Sequence, residues 1–522
     1  LFGLMKDISG SASYFTLALC VAFVLNTWRN RTARNGFPLP PGPRGLPLIG
    51  NLLDVNVDQP WLSYEYWGKY YGASLVHSRL FGQEFVIIND ERVAHELLEK
   101  RSSIYSDRPY ILMNKLLGMD FNTGLLPYGN EWRLHRKMFN VAFSNEASAK
   151  YEAMQIQKSR QLLRNLLATP LNYVNHVNTM AGAVIMAITY GYDVAPENDP
   201  FVTKVVDFVQ LFKDELTPER SALLNALPVL QYIPTWFPGG QLKRAARECR
   251  SLARDVLDNP VRYVRDKMAA GTARQSLVRD LFQKEIKKGS ALSEEETIKA
   301  VGATVFLGGA ETTSSTLLVF LLAMVLHPHV QTKAQEEIDR VVGNDRLPEF
   351  TDRQNLPYIE AILLETLRWH PVVPLSLPHM TTTEDVFEGM YIPKGKSNIH
   401  RSHIGRAMTR DKGRFPNPGI FDPTRHLTPS GEVVERTSFP EFGFGRRICP
   451  GRHVARRTLW GAIVSILATL RIGKAKDEAG YEIAIKPEYT SGLAPRLKPF
   501  LCSIEARSLK AKQLIHECRY QE

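Results

Sequence analysis

The sequence predicts a mainly α protein with small β-sheets, an α+β fold, preceded by a single N-terminal transmembrane helix. Three observations predict it. Apolar residues recur at helical spacing along most of the chain, strand-like runs are short and lie near its two ends, and residues 8–28 contain no charged side chain. A length of 522 residues suggests several domains, yet no second linker and no internal repeat interrupts residues 50–505, so one large domain is expected. With 44% hydrophobic and 23% charged residues the composition is that of a globular protein, which excludes disordered and collagen-like classes. Five scattered cysteines (Cys20, Cys249, Cys449, Cys502 and Cys518) do not make a disulfide scaffold, and the lack of a C-x-x-C pair argues against a zinc ribbon. The net charge of +11 favours acidic partners, but no basic–aromatic module accompanies it, so no nucleic-acid role is expected.

Taken in order, the first element is Ile8–Trp28. As a helix it would span about 31 Å, enough for a bilayer core. Arg29, Arg31 and Arg34 follow at once, which places the basic side in the cytoplasm. A cleaved signal peptide is the rival, but it needs a charged leading region and a small-residue cleavage site, and neither is present. Phe37–Pro47 holds five prolines in eleven residues and reads as a stiff, extended linker. Helical patterns then cover Glu91–Arg101, Glu131–Phe143, Glu146–Leu167, Asn178–Tyr190, Gln241–Met268, Leu356–Trp369 and Arg452–Leu470. Strand-like runs occupy Ser74–Leu80 and Glu84–Asn89, with more after residue 480. One helix is unusually long. Ser293 and Glu296 form a capping-box pattern, Pro328 ends the run, and the 34 residues Ser293–Leu326 would extend about 51 Å. Ala300–Ala323 is too apolar for water, so the helix is expected to cross the domain interior; Glu311 at its centre argues against a second membrane span.

The sharpest local pattern is Phe442-Gly-Phe-Gly-Arg-Arg-Ile-Cys-Pro-Gly451. Gly443 and Gly445 permit backbone turns that other residues resist, and Arg447 sets a positive charge two residues before Cys449. A cysteine just before a helix N-terminus and near cations should favour the thiolate, a ligand for soft or redox metals. A lone cysteine is more often a small buried hydrophobe, but the surrounding pattern reverses that reading.

With these residues in view, the chain resembles the cytochrome P-450 haem-thiolate monooxygenases, microsomal in type and similar to fungal members. Phe442, Gly445, Arg447, Cys449 and Gly451 match that family's haem-binding loop. The resemblance implies the cytochrome P-450 fold and haem b, iron protoporphyrin IX, with Cys449 as axial thiolate. It implies that Phe442 shields the sulfur and Arg447 pairs with a propionate. Gly308-Gly-Ala-Glu-Thr-Thr313 resembles the oxygen-activation motif, in which the two glycines leave room for a ligand, Thr312 turns its hydroxyl toward bound oxygen and Glu311 relays protons. Glu365 and Arg368 match the E-x-x-R pair, to which Arg425 is expected to add a third, structural member. Trp132 and Arg136 resemble a W-x-x-x-R pair reaching one propionate, and His379 another propionate donor.

The implied organisation is an anchor with its basic flank over 1–35, a linker over 36–50 and a haem-binding monooxygenase domain over 51–522. The implied activity inserts one oxygen atom from O2 into a lipophilic organic substrate. The chain carries no G-x-G-x-x-G fingerprint and no flavin domain, so NADPH would act only through a separate flavoprotein reductase. Arg446, Arg452, Arg456 and Arg457 around the Cys449 loop are candidates for docking its acidic face; a solvated helix face is the plain alternative. The implied location is the endoplasmic reticulum membrane, single-pass, with the haem domain on the cytoplasmic side. A haem-thiolate isomerase or peroxide-user needs no reductase, but such relatives often lose the acid–threonine pair that Glu311 and Thr312 retain. A non-catalytic haem-binding copy is kept open by one departure: Lys396–Arg406 is basic where relatives continue with a short apolar strand, as a shifted reading frame or a surface insertion would produce. Ile111, Leu112, Leu116, Phe121, Ala303, Phe306, Leu307, Val373, Leu375 and Leu493 are the candidate apolar pocket. Trp236 and Phe237, in Tyr232–Gly239, are read as ordinary core packing, with contact to lipid as the alternative.

Overall fold

A computed structural model describes residues 34–518, apart from 35, 48, 196–198, 217, 238–239, 289–292, 396–399, 404, 435–439 and 493. The expected membrane span Ile8–Trp28 lies outside the described residues. In chain order, α1 (Pro60–Tyr71) leads into β1 (Leu75–Leu80) and β2 (Gln83–Ile88). Then follow α2 (Leu112–Leu116), α3 (Asn130–Phe143), α4 (Glu152–Ala168), α5 (Tyr173–Tyr190), α6 (Pro200–Glu215), α7 (Pro218–Ala226) and α8 (Gln241–Ala269). The long helix α9 (Ser293–Leu326) and α10 (Pro357–Trp369) precede β3 (Asp385–Phe387), β4 (Met390–Ile392) and β5 (His400–His403), and α11 (Arg452–Thr469), β6 (Leu470–Lys474) and β7 (Cys502–Ala506) close the fold.

The helices form one mass around α9, which packs along α5 and also against α11, α8 and β6. Leu317–Val325 of α9 is almost wholly buried, so the helix spends its apolar length on the protein interior, as expected from its composition. The strands form small sheets to the side. β1 and β2 pair antiparallel through Phe81 and Gly82, both at positive φ, as a two-residue hairpin turn requires. β5 adds to β2 in parallel, Phe85 opposite His400 through Ile88 opposite His403. The basic stretch read as a surface insertion therefore supplies a sheet strand over 400–403, while 396–399 and 404 lie outside the described residues.

The structure differs from the expected elements in instructive places. The run Glu146–Leu167 is broken: Asn145–Ala149 is a separate helix capped by the Ser144 side chain, and α4 starts at Glu152. After residue 480 the expected strand is β7, paired with β6, and before it the chain makes only isolated bridges, Lys476 with Glu482 and Tyr489 with Leu497. α6 was not anticipated, although its start is legible: the Asp199 carboxylate accepts the Phe201 and Val202 N–H groups and Pro200 occupies the first turn.

Candidate active site

Two tight turns shape the loop before α11, at Pro440–Phe442 and Gly445–Arg447. The Cys449 N–H donates to the Phe442 carbonyl at 2.8 Å, which closes the loop under the cysteine. Gly445 has φ of +54°, and a Cβ there would stand 2.1 Å from the Leu98 carbonyl oxygen, so only glycine fits. Gly451 is different. Its φ is −83°, and a Cβ would meet only the Cys449 sulfur, at an ordinary 4.0 Å. Phe442 packs partly buried against the main core. Burial pushes the Cys449 thiol pKa up; the Gly451 and Arg452 N–H groups and the Arg136 and Arg452 charges only partly offset this. Burial outweighs the helix terminus, and deprotonation falls to a coordinating metal.

Beside this loop lies a cluster of cations. Trp132, buried on α3, has the Arg447 guanidinium 4.5 Å and the Arg136 guanidinium 5.7 Å from its ring centre. Arg136 Nη1 donates to the Ile448 carbonyl at 2.8 Å, tying α3 to the cysteine loop. Arg447 Nε donates to Ser106 O at 2.7 Å and Nη2 to Leu126 O at 2.9 Å, while its Nη1 is buried with no hydrogen-bond partner among the described residues. His379 is buried, with Nδ1 2.7 Å from the Tyr105 carbonyl oxygen. The structure adds Arg108, which sequence reasoning missed because an isolated arginine between Asp107 and Pro109 belongs to no period or motif. It is buried, and donates through Nε to Gly124 O and through Nη1 to Leu377 O and Pro378 O.

The electrostatics of this cluster identify its guest. Burial lowers the pKa of Arg108 strongly, with Arg447 adding to it; burial likewise lowers Arg136 and brings Arg447 down to about 10. Asp107 is the carboxylate that offsets Arg108 and Arg447. Buried Arg108 and half-buried Arg136 and Arg447, against the one acid Asp107, leave a surplus of two positive charges, and an orphaned Arg447 N–H with them. A planar dianion such as haem with two propionates supplies both missing charges, so the residues present fit that group.

On α9 the two glycines have separate tasks. A Cβ at Gly308 would meet nothing within 4 Å, whereas one at Gly309 would stand 2.5 Å from Ile185 Cδ1 on α5. Only Gly308 leaves room; Gly309 lets two helices approach. Thr312 Oγ1 donates to the Gly308 carbonyl at 2.7 Å, so its hydrogen is held within the helix rather than diverted from it. The Glu311 carboxylate is engaged by Lys213 of α6 and lies 3.7 Å from Arg496 Nε. Neither residue was singled out in the sequence.

Glu365 and Arg368 form a fully buried bidentate pair at 2.7 and 2.8 Å. Arg425 Nε joins at 3.1 Å as expected, and His426 Nε2 also contacts Glu365, at 2.9 Å. His426 was overlooked although it adjoins Arg425 in the sequence. Of the candidate pocket, Leu112, Ala303, Phe306 and Leu307 are buried in the main core, with Ile111, Leu116 and Phe121 packed against it. Leu375 instead packs with Trp61, Trp67 and Ile87, and Leu493 lies outside the described residues. Trp236 and Phe237 are 81% and 49% exposed, which overturns the core-packing reading. Arg456 and Arg457 are taken up by Glu360 and Glu152, so they are not free docking cations; Arg446 is exposed, with Arg133 and Lys137 of α3.

A cysteine at the mouth of a helix, tied to α3 and beside a cradle that lacks two negative charges, defines a haem-thiolate protein. Comparison with known proteins agrees. The family model described as cytochrome P-450 matches residues 40–494. Cytochrome P-450 monooxygenase ple1 of Rhodocybe pseudopiperita is 35% identical over 506 residues, covering 96% of each chain. Cytochrome P-450 monooxygenase ppsD of Aspergillus oryzae is 37% identical over 510 residues, covering 96% of this chain and 95% of the relative, and claR of Ampulloclitocybe clavipes is 36% identical over 483 residues, covering 91% and 88%. The chain belongs to the cytochrome P-450 family and is an oxidoreductase of the monooxygenase type, which implies haem with cysteine thiolate ligation and use of O2.

Proposed function

We propose that the protein inserts one oxygen atom from O2 into a lipophilic organic substrate, at the endoplasmic reticulum membrane with the haem domain on the cytoplasmic side, using electrons from a separate NADPH-dependent flavoprotein reductase. The observation that carries the reading is the placement of Cys449, in its glycine-shaped loop before α11, beside an arginine cradle with two surplus charges. Bound haem supplies the oxygen reduction and insertion chemistry. The chain's own residues do the rest. Arg108, Arg136 and Arg447 hold and orient the propionates, with Trp132 between two of them. The Gly451 and Arg452 N–H groups turn toward the Cys449 sulfur and stabilise it as thiolate. Ala303, Phe306, Leu307 and Leu112 keep the chamber wall apolar and exclude water. Thr312, anchored on the Gly308 carbonyl, offers hydroxyl lone pairs at a fixed place. Glu311, ion-paired with Lys213, holds no proton to give; it relays one only by parting from Lys213, taking a proton up from solvent and passing it on.

Exposed Arg446, Arg133 and Lys137 support an acidic reductase partner by long-range attraction. The apolar run at Ile8–Trp28 and the exposed Trp236 and Phe237 support the membrane reading. In the test, the reduced protein under carbon monoxide shows a red-shifted Soret band that Cys449→Ala abolishes, and NADPH oxidation with product formation requires added flavoprotein reductase. Turnover by peroxide alone, unaffected by reductase, would overturn the electron-supply reading.

A further inference from the structure

His135 stands on α3 directly before Arg136 and is 1% exposed, yet neither the sulfur ligation nor the arginine cradle uses it. Its Nδ1 lies 2.7 Å from Thr123 Oγ1, and its Nε2 is buried without a hydrogen-bond partner among the described residues. Burial pushes its pKa down to about 4, so the ring is neutral near pH 7 and one nitrogen carries hydrogen. That hydrogen belongs on Nδ1. There it is satisfied, and the unpaired Nε2 is then only a lone pair, which costs less to bury than an unpaired N–H. The remaining bonds follow one direction: the Thr123 hydroxyl donates to Thr304 Oγ1 on α9 at 3.4 Å, and the Thr123 N–H to the same oxygen at 3.2 Å.

Thr123 sits beside the backbone that holds the cradle. The next carbonyl, Gly124 O, accepts from Arg108, and Leu126 O accepts from Arg447. Two residues earlier, Phe121 packs against the main core, to which Leu112, Ala303 and Phe306 belong. A polar chain buried at His135 and Thr123 and half-buried at Thr304 is most stable when all its bonds form together, so it selects one position of the loop out of many. We propose that His135 is a positioning residue: by donating from Nδ1 to Thr123, which is bonded in turn to Thr304, it pins the loop 121–126 to α9 and so sets the carbonyls that aim Arg108 and Arg447. The pin couples the chamber wall to the grip on the haem.

The test uses the full-length holoprotein, with hydrogen–deuterium exchange of segment 121–126 and the rate of haem transfer to apomyoglobin as readouts. His135→Asn keeps a donor at the Nδ1 place, His135→Gln moves it to the Nε2 place, and Thr304→Val removes the acceptor without changing side-chain size. His135→Gln and Thr304→Val should each speed exchange in 121–126 by about tenfold and hasten haem transfer, while His135→Asn stays within about twofold of the parent. If His135→Asn behaves like His135→Gln, ring packing and not the donated bond matters, and the proposal fails. Unchanged exchange in Thr304→Val, a variant on a different helix that stands even if His135→Gln does not fold, defeats it equally.

Discussion

A methyl group added at Gly309 would press on Ile185 Cδ1 at 2.5 Å, whereas one added at Gly308 would meet nothing within 4 Å. The two substitutions should therefore differ in sign. Gly309→Ala should lower holoprotein stability by about 1–3 kcal/mol through overpacking, and Ile185→Ala should relieve part of that loss in the double variant. Gly308→Ala should raise stability by up to about 1 kcal/mol, because alanine loses less backbone freedom in a helix. Thermal unfolding of the four proteins decides it, and equal losses at both glycines would contradict the division of labour. Gly445→Ala should be worse than either, since its Cβ would collide with the rigid Leu98 carbonyl; the expected result is failure to retain haem, read as absorbance per protein. The sequence shows that glycines cluster at 308, 309, 443, 445 and 451, and helical spacing and turn chemistry explain why. It cannot show which glycine has a neighbour, because Ile185 and Leu98 reach these positions through tertiary packing alone. Arg108 escaped notice for the same reason: its meaning lies in the carbonyls of Gly124, Leu377 and Pro378, which are distant in sequence.

At the scale of elements, the C-terminal half of α10 is locked to the segment after β5 by one carboxylate. Glu365 accepts from Arg368, Arg425, His426 and the Asp422 N–H, all within 3.1 Å. Burial alone would push its pKa up, but the bonds from Arg368 and His426 prevail and hold it below the ordinary glutamate value. A carboxyl depressed in the folded state contributes stability that is complete above its unfolded pKa of about 4.3 and is lost as pH falls through the folded value. Glu365→Gln strands the Arg368 charge and should cost about 3–5 kcal/mol near neutral pH, with the gap to the parent narrowing as pH drops below about 4. Denaturant midpoints at several pH values measure this, and a gap that is constant with pH would show that the carboxylate charge is not what holds the cluster. The pair Glu365 and Arg368 is legible in sequence because its spacing is a helix turn. Element boundaries are less so. The start of the short helix at Asn145 depends on the Ser144 cap, and that of α6 on Asp199, local signals easily lost beside a long apolar period.

For the whole molecule, the question is how a domain built around the buried helix α9 sits against lipid. Trp236 and Phe237, with Val229 and Tyr232 at 68% and 71% exposure, are apolar side chains left uncovered after α7 by the described residues. A tryptophan body with its N–H edge suits the headgroup boundary, neither bulk water nor the acyl core. If the proposed anchor at Ile8–Trp28 and this surface engage the same bilayer, the stiff proline segment between them fixes the attitude of the domain instead of leaving it to swing. The prediction uses full-length protein in vesicles whose lipids carry bromine either near the glycerol end or near the acyl terminus, and compares parent with Trp236→Phe. Trp61, Trp67, Trp132 and Trp460 are buried and should contribute little quenching; half-buried Trp369, and Trp28 within the proposed span, contribute equally to both proteins and cancel in the difference. The difference signal, which belongs to Trp236, should be quenched more by shallow bromine than by deep bromine. A difference signal untouched by either would mean that the loop remains in water, and that the domain approaches the membrane by another face or not at all.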